Sequence, residues 1–454
     1  MRTPFARILG LLTGGLVVFC AFVLWPSMAV ALPSYARQTG LPCSSCHMGF
    51  PELTPTGRAF KLNGYVWPGG QSKLPPLAVM LQPSFTHTAT GQPGGAAPHF
   101  GANDNFALQQ ASLFYGGAID SDIGLGAFSQ LTYDSASHRL GWDNTDIRMA
   151  HATTLGDKSI IYGLTLNNNP TVQDVWNTLP AWRFPYVSSS LAPGPAAATM
   201  LEGGQAQQVL GLGGYTFWNN LVYAELSGYR SLSKRTQTLL GVDTGGENDI
   251  NGFAPYWRVA IEPSWGNSTL EFGTFGMAAS LYPQRITSNG TDGLTDVGVD
   301  TQYQFIGERD DISLHASWIH ESQDWSTSQP LGLTANAHDG LDSFNAKVSY
   351  LYRQTVGGSL GYFNIRGSSD PGLYGAGAVG GSANGSPNSN GWIAELDYMP
   401  FNNGGPSFWP WLNAKFSLQY VAYNKFNGGR TNYDGFGRNA SDNNTLFLIA
   451  WAAF

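Results

Sequence analysis

Residues 346–350 read AKVSY and residues 416–420 read FSLQY, so apolar and polar side chains alternate along both stretches. A period of two is typical of a β-strand that presents one apolar face and one polar face. Similar stretches recur from residue 77 to the C-terminus, and we predict about sixteen strands, most of them about 10–13 residues long. An even number of strands of this length predicts a transmembrane β-barrel.

The predicted strands cover residues 77–88, 105–117, 124–134, 144–155, 158–167, 206–218, 220–230, 254–265, 267–277, 295–307, 311–324, 341–353, 355–366, 390–400, 410–424 and 444–454.

The predicted connections alternate between long and short. The long ones are residues 168–205, 231–253, 278–294, 325–340, 367–389 and 425–443, and the short ones include 156–157, Asn219, Gly266 and Gln354. Outer-membrane barrels have short periplasmic turns and long outer loops. This register predicts that the segment before the first strand and the C-terminus both lie on the periplasmic side, as an even strand number also requires.

The composition agrees with a barrel in the outer membrane. Charged residues make up 12% of the chain, about half the share of a typical soluble protein, whereas aromatic residues make up 13%. The formal net charge is −8, and it becomes −10 if residues 1–31, with two arginines and no acid, are removed. We do not expect an acidic chain of this kind to bind nucleic acid. The expected environment of the barrel is the lipid of the outer membrane. A secreted, soluble all-β protein is the alternative.

The first 31 residues have the pattern of a secretory signal peptide. Arg2 and Arg7 precede an apolar stretch at 8–24, and residues 29–31 read AVA before Leu32. We therefore predict cleavage before Leu32, with a transmembrane anchor as the alternative. At the other end, residues 446–454 read LFLIAWAAF, and this last strand resembles the C-terminal signal of outer-membrane barrels.

The mature chain is expected to have two parts, residues 32–76 and the barrel at 77–454. In the first part, residues 53–64 predict one helix, with Thr54 as N-cap, Pro55 at the first position, and Asn63 and Gly64 at its end. Residues 67–70, WPGG, then interrupt the chain. The fold class is all-β, with a short helical N-terminal segment.

Residues 43–47 read CSSCH and supply the strongest chemical signal. In a c-type site the two thiols bind the haem vinyl groups and the histidine becomes the proximal iron ligand. We therefore predict one covalently bound haem c, attached through Cys43 and Cys46, with His47 on the iron. A thioredoxin-like dithiol would need a βαβ unit, and a zinc site would need further ligands nearby.

The distal ligand remains open between Met80 and His87, both in the first strand. Their odd separation predicts that they face opposite sides of a regular strand, and an iron without a distal protein ligand is a further alternative. Met48 adjoins His47 and is poorly placed to reach the opposite haem face. Arg58 and Lys61 share one helix face and could contact the haem propionates, or the face could simply be solvated.

Two other groups of polar residues were considered as metal sites. His315 and His320 differ by an odd number and should face opposite sides of a strand, which argues against a shared site. Asp243, Glu247 and Asp249 could attract cations near the outer rim, although turn chemistry explains this stretch equally well.

The motif and the helix together resemble one known family. Residues 42–47, PCSSCH, followed by residues 53–65, LTPTGRAFKLNGY, resemble the N-terminus of the fused outer-membrane monohaem cytochrome–porins of iron-oxidising bacteria. The resemblance implies an N-terminal haem c and a barrel of about sixteen strands. It also implies iron-oxidase activity, in which electrons pass from extracellular Fe(II) to a periplasmic cytochrome c or copper protein. Arg58 and Lys61 match basic positions of that family.

Two alternatives keep the same architecture. The protein could exchange electrons with a different extracellular donor or acceptor, or it could be a transport porin with a regulatory haem segment. Beyond the haem motif, no catalytic residues are predicted, because an electron-transfer protein needs no general acid or base.

Overall fold

The computed structural model describes residues 34–67, 69, 75–242, 249–405, 409 and 411–454. The predicted signal peptide at 1–31 lies outside the described residues, as do Asp243 and Glu247. Within the described ranges, no helix is both long enough and apolar enough to cross a bilayer.

The described elements are four short helices and sixteen main strands. The helices are α1 (Ser34–Thr39), α2 (Cys43–Cys46), α3 (Pro55–Leu62) and α4 (Lys234–Leu239). The strands are β1 (Leu77–Thr88), β2 (Asn105–Asp120), β3 (Leu125–Asp134), β4 (Arg139–Leu155), β5 (Lys158–Asn167), β6 (Val209–Trp218), β7 (Val222–Ser231), β8 (Ala254–Ile261), β9 (Ser268–Tyr282), β10 (Asp292–Ile306), β11 (Asp310–Asp324), β12 (His338–Tyr352), β13 (Val356–Gly367), β14 (Ser389–Tyr398), β15 (Asn413–Lys425) and β16 (Thr445–Ala453).

The sheet closes on itself, because β1 pairs with β2 on one side and with β16 on the other, always antiparallel. Two further two-residue strands, Asp249–Ile250 and Ser264–Trp265, pair with β9. The predicted all-β fold, a closed barrel of sixteen antiparallel strands preceded by a short helical segment, is confirmed. Closure leaves no free sheet edge, which is the condition for strands to cross a bilayer.

The two faces of the strands differ in polarity. In β11, Ile312, Leu314 and Trp318 are exposed on the outside, whereas Ser313 and Ser317 are buried on the inside. The same alternation in other strands gives the exterior a set of exposed apolar side chains. An apolar exterior around a polar interior is the pattern of a barrel that faces lipid.

The connections mostly have the predicted lengths. The long ones, at 89–104, 168–208, 232–253, 283–291, 325–337, 368–388 and 426–444, all lie at one end of the barrel, called here the long-loop end. Two connections are exceptions: 135–138 is short at the long-loop end, and 399–412 is long at the opposite, short-turn end. The sequence prediction of almost perfect alternation is wrong at these two places.

Several strand ends also differ from the prediction. β4 begins at Arg139 rather than 144, and β9 continues to Tyr282 rather than 277. Backbone pairing extends these strands beyond the apolar stretch, since the ladder of hydrogen bonds does not require apolar side chains. β8 ends at Ile261 rather than 265, and Pro263, which has no backbone N–H, lies two residues further on.

Two parts of the chain fill the inside of the barrel. The N-terminal segment, residues 34–67, contacts the inner wall near the short-turn end. The connection between β5 and β6, called here the inner loop (residues 168–208), folds inward, and its Val172, Trp176 and Leu179 are almost fully buried. Leu53 N donates to Asn177 Oδ1 at 2.9 Å, so the segment and the inner loop meet.

Candidate functional site

Helices α2 and α3 pack closely against each other and hold the CSSCH motif. Thr54 caps α3 as predicted, because its hydroxyl accepts from Gly57 N, and the same hydroxyl donates to Ser45 O at 2.7 Å. A Cβ at Gly57 would lie 2.2 Å from Cys46 O, so only glycine permits this approach. The predicted helix end is also observed, with Asn63 as C-cap and Gly64 at a φ of +71°.

His47 is oriented by one hydrogen bond from its ring. Its Nδ1 donates to the Pro51 carbonyl at 3.0 Å, and its ring lies edge-on to Phe50 with 5.1 Å between centroids. Burial lowers the pKa of His47 to about 4, so the imidazole is neutral near pH 7. A neutral ring whose Nδ1 is held by a carbonyl presents Nε2 as the metal-binding nitrogen, the usual arrangement for histidine ligands.

The two cysteines do not have the character of a redox dithiol. Burial raises the pKa of Cys43 to about 12 and that of Cys46 to about 11. Reactive dithiols instead have a lowered thiol pKa, because the thiolate is the nucleophile. The raised pKa values therefore give no support to the thioredoxin-like alternative.

A cavity of 380 Å³ lies beside the motif, inside the barrel, and we call it the lumen cavity. Its walls come from the N-terminal segment, from strands β1 to β4, β15 and β16, from the inner loop and from Met399 after β14. They include Cys43, Cys46, His47, Phe60, Met80, Phe114, Trp182, Tyr186 and Trp451. The volume is within the range of ligand pockets, about 300–1,000 Å³, and most lining side chains are apolar. Both thiols and the imidazole thus border one space, as covalent attachment of a haem requires.

The structure separates the two predicted distal candidates. Met80 is buried and lines the lumen cavity, and its Sδ accepts from Gln82 Nε2 at 3.3 Å. His87 is outside the cavity; its exposed ring lies 2.7 Å from Asp104 Oδ1. The odd separation does place the two on opposite faces, and only Met80 faces inward.

A second methionine at the cavity was not predicted. Met399, in the connection after β14, is buried and lines the lumen cavity, where it also packs against Leu351 and Met48. Met48 itself is buried in that cluster. Met399 lies inside the predicted strand 390–400 and one residue beyond the observed end of β14, at the same period-two spacing as the buried Glu395. The strand period could therefore have indicated its inward position.

Arg58 and Lys61 are both buried, so the alternative of a solvated helix face is wrong. Arg58 makes an ion pair with Glu262 at 3.0 Å and donates to Gln304 Oε1 at 2.7 Å, and it is not among the residues that line the cavity. The Arg58 guanidinium is therefore bonded to side chains of the barrel wall. The predicted propionate contact of Arg58 therefore has no support in the geometry.

Lys61 has a different environment, at the lumen cavity. Its Nζ donates to the carbonyls of Val172 and Asp174, at 2.6 and 2.9 Å, and lies over the ring of Trp182. Burial lowers the pKa of Lys61 to about 7. An ammonium has three donors, so one remains for a further acceptor in the cavity.

Buried polar contacts attach the segment to the wall at several points. Tyr65 Oη donates to Asp146 Oδ2 at 2.7 Å, and Arg148 Nε is paired with the same oxygen. On another side, Glu52 makes an ion pair with Lys347. Burial alone would raise the pKa of Glu52, but the charge of Lys347 and contacts with His315 lower it to about 2. These attachments hold the motif in one position relative to the strands.

The inner loop closes the cavity toward the long-loop end. Gln302 Nε2 donates to Trp176 O at 2.8 Å, and Leu201 N donates to Asp296 Oδ2 at 2.8 Å, so the loop is bonded to the wall. The sequence prediction treated this stretch as an outer loop. Its apolar content, with Trp176, Leu179 and Trp182, is the signal that could have indicated burial.

His315 and His320 do not share a metal site. His315 is buried inside the barrel and His320 is half-exposed outside it, so they face opposite sides as predicted. Asp249 pairs with Arg285 at 3.3 Å, while Asp243 and Glu247 lie outside the described residues. In the part of the chain that the structure describes, no group of three histidine, cysteine or acidic side chains could hold a metal ion.

Comparisons with known proteins found no matching family model and no matching curated protein. Among solved structures, the chain is similar to the anion-selective porin of Comamonas acidovorans, with 11% identity, a TM-score of 0.43, and coverage of 83% of this chain and 98% of that one. It is also similar to the outer membrane channel DcaP of Acinetobacter baumannii, with 10% identity, a TM-score of 0.42, and coverage of 83% and 96%. OmpT of Vibrio cholerae is similar at 9% identity and a TM-score of 0.40, with coverage of 83% and 96%.

Proposed function

We propose that the protein is an outer-membrane electron-transfer protein that carries one haem c in the lumen cavity. It oxidises extracellular Fe(II) and passes the electrons to a periplasmic cytochrome c or copper protein. The observation that supports the haem is the position of Cys43, Cys46 and His47 together on the wall of one mainly apolar cavity. The choice of Fe(II) rests on the resemblance of the N-terminal segment to the cytochrome–porins.

Each residue of the motif has a defined task in this proposal. Cys43 and Cys46 would hold the haem through two thioether bonds, and His47 Nε2 would bind the iron while Pro51 O holds its Nδ1. Met80 would supply a second iron ligand from the cavity wall, and Lys61 would donate to an acidic group on the haem edge. When bound, the haem supplies a one-electron iron couple of suitable potential.

The contents of the barrel favour passage of electrons over passage of solutes. The N-terminal segment and the inner loop occupy the lumen and are bonded to each other and to the wall. These two parts of the chain reduce the space that solutes could pass through. The transport porin with a regulatory haem segment is the less favoured function, and open-channel conductance of the intact protein would support it.

The proposed location follows from the apolar exterior and the closed sheet. The N-terminal segment and the C-terminus lie on the periplasmic side, and the long-loop end faces outward. In this orientation the proposed haem is at the periplasmic half of the barrel, next to its electron acceptor.

The test is an anaerobic absorbance titration of the purified, oxidised protein with Fe(II) at two pH values. Growth of the sharp reduced c-type bands would support Fe(II) as donor. If dithionite produces these bands but Fe(II) does not, the iron-oxidase activity is rejected and another extracellular donor is favoured. The variant with Cys43→Ala and Cys46→Ala is the control and should lack covalent haem. If the unaltered protein, expressed with a working haem-attachment system, also lacks the bands, the proposal is overturned.

A further inference from the structure

Two histidines from separate connections meet at the long-loop end of the barrel. His99 lies in the connection 89–104 and His138 in the short connection 135–138, and their ring centroids are 5.3 Å apart with an interplanar angle of 81°. Both side chains are exposed. No motif or periodicity in the sequence marks this pair, because the two residues lie in different connections of the chain.

The spacing of the two rings is that of two ligands on one metal ion. Imidazole nitrogens bind Zn²⁺ at about 2.0–2.1 Å, so two rings on a tetrahedral ion have centroids about 5 Å apart. The observed centroid distance of 5.3 Å is close to this value. Two exposed imidazoles leave the remaining coordination positions to water, so bound metal can exchange with solvent.

The backbone holds both residues in an uncommon conformation. His99 has a φ of +72° and His138 a φ of +51°, in the left-handed region that glycine and asparagine usually occupy at turns. Hydrogen bonds stabilise the second turn, since Asp134 accepts from Ala136 N at 2.7 Å and from Ser137 Oγ at 3.0 Å. The His138 ring is thus presented on a short, hydrogen-bonded turn, and the Asp134 carboxylate adds negative charge to that turn.

We infer that His99 and His138 form a binding site for a divalent first-row transition-metal ion at the long-loop end of the barrel. Imidazole suits iron, nickel, copper and zinc among such ions, and calcium and magnesium prefer oxygen ligands. The site goes beyond the proposed function, and it requires neither haem nor Fe(II) oxidation. In the proposed orientation it faces the outside of the cell.

The test is a calorimetric titration of the full-length protein, purified without a polyhistidine tag, with Zn²⁺, which has no redox chemistry of its own. We expect His99→Ala and His138→Ala each to weaken Zn²⁺ binding by about tenfold or more. The double variant should lose less than the sum of the two single losses, because both residues serve one ion. His151→Ala is the matched control and should bind as the unaltered protein does, since the ring neighbour of this exposed histidine is Tyr162 rather than a second histidine.

Unchanged Zn²⁺ binding in both single variants would overturn the inference, and so would an equal loss in His151→Ala. Additive losses in the double variant would also overturn it, because they would mean two independent sites. Equal migration of all variants on a heat-modifiability gel would show that they fold alike. Zn²⁺ binding by His99 and His138 does not depend on whether Fe(II) reduces the protein. The metal site and the proposed function are therefore tested independently.

Discussion

Glu52 and Lys347 form a buried ion pair, with 2.7 Å between Oε2 and Nζ, that joins the N-terminal segment to strand β12 of the barrel wall. Glu52 Oε1 also accepts from Gln304 Nε2 at 2.9 Å. One acidic side chain of the segment therefore contacts two different strands. Because both charges are buried, removal of either partner leaves an uncompensated charge inside the protein.

Lys347→Met should loosen the segment and destabilise the barrel by about 3–5 kcal/mol, the usual cost of breaking a buried pair. The measurement is the temperature at which the folded band disappears on a heat-modifiability gel, together with the rate of protease cleavage within residues 34–67. Lys158→Met, which removes an exposed pair with Asp157, is the control and should change little. Equal effects of the two substitutions would contradict the importance of the buried pair.

Gly57→Ala should prevent the close packing of α3 against α2, because the added Cβ would lie 2.2 Å from Cys46 O. We expect a loss of about 1–3 kcal/mol and a lower yield of covalent haem, measured by haem staining relative to total protein. Thr56→Ala, at an exposed position of the same helix, is the matched control. Normal haem yield and stability in Gly57→Ala would mean that the two helices can separate without consequence.

Met80→Leu should keep the haem attached and lower its reduction potential, since loss of a methionine ligand removes the raising effect of that ligand. The oxidised protein should also lose the weak absorption band of sulfur-to-iron charge transfer. Met399→Leu removes the other cavity methionine and should change neither property. The reverse result would assign the distal position to Met399, and no effect of either substitution would indicate an iron without a sulfur ligand.

Lys61→Met should change how stability depends on pH. Burial lowers the folded-state pKa of Lys61 to about 7, below its ordinary value of 10.5, so the unfolded chain binds more protons between these values. This residue alone should therefore make the free energy of unfolding rise with pH, by up to about 1.4 kcal/mol per pH unit between pH 7 and 10. Unfolding of both proteins at pH 7, 8 and 9 gives the difference. Parallel pH profiles for Lys61→Met and the unaltered protein would contradict this expectation.

Much of the barrel could be predicted, because a strand in a bilayer must alternate its side chains between lipid and lumen. β1 and β5 begin and end where the alternation does. The alternation says less about strand ends, since pairing continues in polar stretches such as the start of β4. It also says nothing of a long connection that folds inward, as the inner loop does.

At the site, local sequence was enough for the helix cap and for the placement of Met80 and His87 on opposite faces of β1. It was not enough for Arg58, whose partners Glu262 and Gln304 are more than two hundred residues away in the chain. Sequence spacing predicts which residues share a helix face, but it does not predict which part of the protein packs against that face.

The sequence by itself determined the strand number, the closed antiparallel order and the CSSCH motif, because each depends on neighbouring residues and on the fixed periods of helix and strand. Only the tertiary structure decided that the segment lies inside the barrel, that Met399 and Trp182 border the cavity, and that His99 meets His138. Such contacts join distant parts of the chain, and closure of the barrel is the step that brings them together.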